Sequence, residues 1–185
     1  MGTSRLLTAS EAVLVVIDVQ EAFRTAIPDF SQIAARIATA INGFEILGLP
    51  IMVTEQYPKG LGRTAEELMM SFDTPQSVIE KTTFSSYGSE EFVTELKATN
   101  ARQVLLCGVE THVCVNQTAH DLLAADYEVH LLTDGVSSRF ESDKKAGLEK
   151  MFTSGVVPSS VEMALFELMR DSRHDKFKEI QALVK

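Results

Sequence analysis

Residues 12–17, Ala-Val-Leu-Val-Val-Ile, form an unbroken apolar run in which neither parity carries a polar side chain. A strand with one face in water alternates apolar and polar residues, so this run reads as a strand buried on both faces. That segment alone demands a sheet covered on each side by another layer, and the rest of the chain supplies the cover. Apolar residues at Ile33, Ile37, Ile41 and Phe44 follow the helical repeat across 31–47, and Gly48 stops that helix. Further strands are expected over 49–54, 76–80, 103–107, 128–132 and 155–158, with Pro50 tolerable only near the start of its strand. Helices are expected over 89–99, 113–125 and 140–154, the first opening on Ser89 with Glu90 and Glu91 at the positive end of the helix dipole. Gly135 is read as the start of a loop, and Ser159 or Ser160 as the cap of a further helix.

Strands alternating with helices imply right-handed crossovers and a parallel sheet covered on both faces. The predicted fold is α/β: a single three-layer, doubly wound, Rossmann-like domain over residues 1–185 with a mostly parallel six-stranded sheet. An N-terminal arm (1–11) precedes it, and 173–185 is a final polar helix or tail. A chain of 185 residues is long enough to bury both cores in one domain.

The formal net charge of −9 and the lack of any Lys/Arg run argue against a nucleic-acid partner, since phosphate binding needs clustered basic surface. The short apolar run at 12–17 is too brief for a signal peptide or membrane span. Two cysteines make no disulfide framework and suit a reducing compartment, so a cytoplasmic location is expected. The four histidines show no metal-ligand spacing, and no cofactor or metal is expected. Gly60-Leu61-Gly62-Arg63-Thr64-Ala65 matches a dinucleotide fingerprint formally, but it follows Tyr57-Pro58-Lys59 rather than a strand end.

In open α/β sheets ligands bind beyond the carboxyl ends of the strands, where strand order reverses. Three polar residues stand there. Asp18 directly follows the first strand, Lys81 ends the third, and Cys114 lies in the first turn of the helix after the fourth. Each has a plain structural alternative: a capping acid, a solvated lysine, an inert buried thiol. Together they can run nucleophilic catalysis, with carboxylate as base, sulfur as nucleophile, and an ammonium and a helix start that draw the thiol pKa down. Cys107, inside its strand, reads as core.

Val16-Ile17-Asp18-Val19-Gln20, then Lys81 with Phe84, then Gly108-Val109-Glu110-Thr111-His112-Val113-Cys114 resemble the isochorismatase-like cysteine hydrolases. The resemblance runs from about residue 12 to about residue 160. Thr54-Glu55-Gln56-Tyr57-Pro58-Lys59-Gly60-Leu61-Gly62 is closest to the isochorismatase domain-containing branch, whose substrates are mostly unassigned. The resemblance implies a catalytic triad of Asp18, Lys81 and Cys114. It also implies a non-proline cis peptide between Val109 and Glu110 that aims the Glu110 and Cys114 amides at one oxyanion hole. Nicotinamidases hold a metal just after the second strand, where this chain has Glu55-Gln56-Tyr57 and no histidine, so no metal is implied. Isochorismatases acting on a vinyl ether lack the cysteine, so Cys114 points elsewhere.

The expected function is hydrolysis of a small amide, ureido or related C–N substrate through a thioester. Phe23, Gln56, Tyr57, Phe84 and His112 are candidate pocket residues. By resemblance the chain is expected to form a homo-oligomer, a dimer or larger. The rival readings are a catalytically silent binding or scaffold protein on the same fold, a redox thiol at Cys114, and a haloacid-dehalogenase-type phosphatase, which Asp18-Val19-Gln20 fits poorly.

Overall fold

The computed structural model describes residues 5–185; the first four residues of the expected arm lie outside it. Six strands form one sheet: β1 (Ala12–Ile17), β2 (Ile51–Gln56), β3 (Val78–Lys81), β4 (Gln103–Val109), β5 (Glu128–Ser137) and β6 (Val157–Ser159), in the order β3-β2-β1-β4-β5-β6. All five strand pairings are parallel, a stricter arrangement than the mostly parallel sheet expected. The chain builds outward from β1 to β3 and then returns to the other side of β1 with β4. The reversal point therefore lies between the carboxyl ends of β1 and β4.

The side chains of β1 divide by parity. Leu14 and Val16 enter a core beneath α1 (Phe30–Leu47); Val13, Val15 and Ile17 enter a second core on the opposite face. The first core includes Phe30, Ile33, Ile37 and Phe44 of α1, and α7 (Val161–Met169) and α8 (Phe177–Val184) pack beside that helix. The second core contains Phe92 and Leu96 of α4 (Glu90–Ala98) and Ala119 and Leu122 of α5 (Asn116–Ala124). Met151 of α6 (Glu141–Thr153) completes it. Both cores bury Val, Leu, Ile and Phe side chains fully, at about 1.5–3 kcal/mol each. No helix among the described residues is long and apolar enough to cross a membrane.

Two local expectations are corrected. Gly135 does not begin a loop, because β5 continues to Ser137. Its polar residues find partners there: Thr133 donates to the Ser159 carbonyl, and Asp134 accepts from Arg36 and from the Val161 amide. The helix expected over 113–125 opens instead with a π-turn, Thr111–Val115, and α5 proper begins at Asn116. The segment between β2 and β3 holds two short helices, α2 (Pro58–Leu61) and α3 (Glu66–Met69), so the glycine-rich stretch makes no strand-to-helix turn.

Candidate active site

Asp18 sits immediately past β1 with a left-handed backbone, φ 53°. Strand alternation would put its side chain on the α1 face with Leu14 and Val16. The left-handed residue breaks that alternation, and Val19 joins the α1-face core in its place. The carboxylate instead meets side chains of the opposite face. Thr54 at β2 donates to Oδ1 at 2.7 Å, and Lys81 Nζ donates to Oδ2 at 2.6 Å. The same carboxylate acts on the Cys114 thiol, whose pKa it raises.

Lys81 is fully used. Its ammonium faces Asp18 Oδ2, Gln56 Oε1 (2.9 Å) and the carbonyls of Thr83 (3.2 Å) and Phe84 (3.1 Å). Three N–H bonds among four acceptors leave none for a substrate. The lysine is therefore an enclosed counter-charge for Asp18. Gln56 is in turn held by Thr82, which accepts from its Nε2 at 2.8 Å, and Gln20 clamps the Gln56 backbone through both its N–H and its carbonyl.

Cys114 lies on the π-turn beyond β4, 7% exposed and packed with Val115 into the α5-face core. Burial pushes its thiol pKa well above the ordinary cysteine value, and the Asp18 charge pushes it further; Lys81 pulls it down without reversing the balance. Burial and the Asp18 charge favour the protonated thiol over the thiolate. The expected drop in pKa is thus overturned: desolvation and the adjacent carboxylate outweigh one ammonium, and the π-turn separates Cys114 from the start of α5.

The turn is fixed from several sides. The Val109–Glu110 peptide is cis. Gly108, with φ 120°, passes so close to β1 that a Cβ there would collide with the Ile17 carbonyl oxygen. Thr111 donates to the Ser137 carbonyl at 3.0 Å. Gly147 of α6 lies against the turn, where a Cβ would come within 2.9 Å of His112 Cα.

The candidate pocket residues scatter. A cleft of about 440 Å³ opens beside Lys81, lined by Tyr57, Thr82, Thr83 and Ser89 among others, but neither Asp18 nor Cys114 lines it. Tyr57 and Phe84 are exposed just beyond β2 and β3. Phe23 packs against the α1-face core, Gln56 serves Lys81, and the His112 ring meets Ser138 Oγ at 3.1 Å. Thr54 and Gln20 were not singled out by sequence reading; their strand-end position was the available signal. Arg139, bonded to Glu110, also went unnoticed.

The fold and strand-end constellation are those of an α/β protein with a buried Cys–Asp–Lys cluster at its topological switch point. The isochorismatase domain model matches residues 12–163, and the chain belongs to that family. It is 43% identical over 168 residues to isochorismatase domain-containing protein 1 of Salmo salar, covering 91% of this chain and 59% of the relative. Isochorismatase domain-containing protein 2 of Danio rerio is 40% identical over 184 residues, with 99% of this chain and 91% of that one covered. The chain thus spans less than two thirds of the salmon protein and nearly all of the zebrafish one. A Caenorhabditis elegans structure described as MAR1 ribonuclease superposes with a TM-score of 0.91 at 36% identity, covering 97% of this chain and 92% of that chain.

Proposed function

We propose that this protein hydrolyses a C–N bond of a small amide or ureido substrate through a thioester on Cys114. The convergence of buried Cys114, Asp18 and Lys81, with the Asp18 charge acting on the thiol and Lys81 donating to Asp18 Oδ2, carries this reading. Asp18 takes the S–H proton as sulfur attacks the carbonyl carbon, so the thiolate forms only as the C–S bond does. The oxyanion collects on the Glu110 and Cys114 amides. Collapse breaks the C–N bond, and Asp18 gives its proton to the departing nitrogen. Water then attacks the thioester and loses a proton to Asp18. As the C–S bond breaks, that proton returns to sulfur, leaving acid, amine and the original thiol.

Lys81, which donates to the other oxygen of the carboxylate, serves throughout as the counter-charge of Asp18. A ribonuclease reading, drawn from the nematode neighbour's description, is opposed by the net charge of −9. A homo-oligomer and a cytoplasmic location belong to the same proposal. Exposed Tyr57, Phe84 and Phe140 at the strand-end rim supply apolar surface for the first, and two unpaired thiols suit a reducing compartment for the second. Sizing by light scattering reads the oligomer directly.

The test is ammonia release from a panel of amides and ureides, with acyl-enzyme trapping followed by intact-mass spectrometry. A mass adduct on the wild-type chain that is absent from Cys114→Ala supports the reading. Turnover that survives Cys114→Ala, or RNA cleavage abolished by the same substitution, overturns it.

A further inference from the structure

A left-handed backbone at a residue with a side chain is uncommon and persists only where the surroundings hold it. At Asp18, with φ 53°, Thr54 of β2 supplies two of the holds. The Thr54 carbonyl accepts from the Asp18 N–H at 3.2 Å, and the Thr54 hydroxyl donates to Oδ1 at 2.7 Å. Ile17 stands opposite Thr54 in the β1–β2 register, so the strand pairing itself brings the threonine to the carboxylate. Thr54 is fully buried and Asp18 nearly so. Branching at Cβ restricts χ1, and the hydroxyl is therefore aimed rather than free to turn.

The two carboxylate oxygens have different neighbours. Oδ2 lies 2.6 Å from the Lys81 ammonium, which can only donate and whose charge opposes a proton on that oxygen. Oδ1 faces a neutral hydroxyl, and one bond from Thr54 leaves it a further lone pair. A hydroxyl can donate or accept, so Oδ1 keeps a partner whether the carboxyl is ionised or protonated. The proposed reaction protonates and deprotonates this carboxyl in each half, and Oδ1 is the oxygen suited to that traffic.

We propose that Thr54 is a positioning residue for this chemistry. It fixes the Asp18 carboxylate with Oδ1 as the oxygen that receives the Cys114 proton and passes it on. The inference rests on the thioester reading, and its test tells the two apart. The probe is p-nitrophenyl acetate, whose leaving group departs without a proton, so its acylation step uses Asp18 as base alone. Sulfur bonds to the acetyl carbonyl carbon and Asp18 takes the thiol proton. p-Nitrophenolate leaves with the electron pair of the broken C–O bond. Intact-mass spectrometry follows the acetyl adduct on the wild type, Thr54→Val, Thr54→Ser and Cys114→Ala.

Thr54→Val keeps the shape of the side chain and removes the hydroxyl. It should slow acetylation about 10- to 100-fold at saturating probe, as misplacement of a reacting group does, with the half-saturating concentration and the final adduct yield unchanged. Thr54→Ser restores the hydroxyl with a looser χ1 and should lie within about threefold of the wild type. A merely structural threonine would lower the yield with the fraction of folded chains and leave the rate alone. Should the valine chain not fold, Thr54→Ala against Thr54→Ser makes the same comparison at matched size.

Equal rates in Thr54→Val and the wild type, or a serine variant as slow as the valine one, overturn the Thr54 assignment alone. A wild-type chain that forms no adduct dependent on Cys114 overturns the nucleophile reading and this inference with it.

Discussion

Cys107 and Cys114 occupy neighbouring regions of one strand–turn unit, and their surroundings differ in kind. Cys107 lies within β4 on the α1 face, fully buried, its sulfur 3.6 Å from the Val15 carbonyl. Cys114 lies past the strand end on the α5 face, nearly as buried, against Asp18. Desolvation raises both thiols and is the first cause in each case. Burial therefore cannot distinguish a structural cysteine from a reactive one. What separates them is the second ring of charges. Beside desolvation, Cys107 feels the charge of Asp134, whereas Cys114 feels Asp18, and Lys81 donates to that same carboxylate. In the proposed reaction, nucleophilicity is delivered on demand by Asp18 rather than stored as a resting thiolate.

The comparison breaks most visibly at the sulfur itself. Cys114→Ala should cut turnover on the order of 10⁴-fold or more, because no other group forms the thioester. The steady-state assay of the amide panel reads this.

Asp18→Asn sharpens it by moving two readouts in opposite directions. Turnover should fall about 10²- to 10⁴-fold with the loss of the general base. Alkylation of Cys114 should accelerate, because the negative charge that raises the thiol pKa is gone while Lys81 stays. In the wild type a raised thiol pKa means the thiolate fraction grows as pH rises. The iodoacetamide rate at Cys114 should thus keep climbing past the ordinary cysteine midpoint of about 8.5 without a plateau. A plateau near neutral pH would refute the resting-thiol description.

Lys81→Met removes one partner of a fully buried ion pair and should destabilise the fold by about 3–5 kcal/mol, measured by urea unfolding. Gly147→Ala presses a methyl group onto the backbone of the Cys114 turn. It should lower kcat about tenfold with KM little changed, since misplacement of a reacting group is felt strongly. The smallest effect belongs to Cys107→Ala: a loss of about 1–2 kcal/mol for the emptied volume and no change in turnover. A turnover defect there would erase the contrast between the two thiols.

Much of the sheet was legible because burial on both faces leaves a sequence mark. The run at 12–17 and the apolar stretch of β4 have no polar alternation, and that pattern admits few alternatives. Legibility failed where polar residues sit inside a strand. Thr133-Asp134-Gly135 has loop composition, and only contacts from Ser159, Val161 and Arg36, all distant in sequence, explain why β5 continues through it. The π-turn failed for a related reason: apolar spacing cannot tell α from π over a single turn.

For the site, local patterning was enough to say which residues stand at strand ends, because strand boundaries and the crossover rule follow from it. It placed Asp18, Lys81 and Cys114 on one edge of the sheet and Cys107 in the core. Which face each side chain serves emerged from the folded chain alone. Period-two alternation assigns Asp18 to the α1 face, and its left-handed backbone carries it to Thr54, Lys81 and Cys114 on the other. The direction of the Cys114 pKa shift was equally out of reach of the sequence. It is a balance between desolvation and two opposite charges, and that balance depends on distances among residues brought together from β1, β3 and the turn after β4.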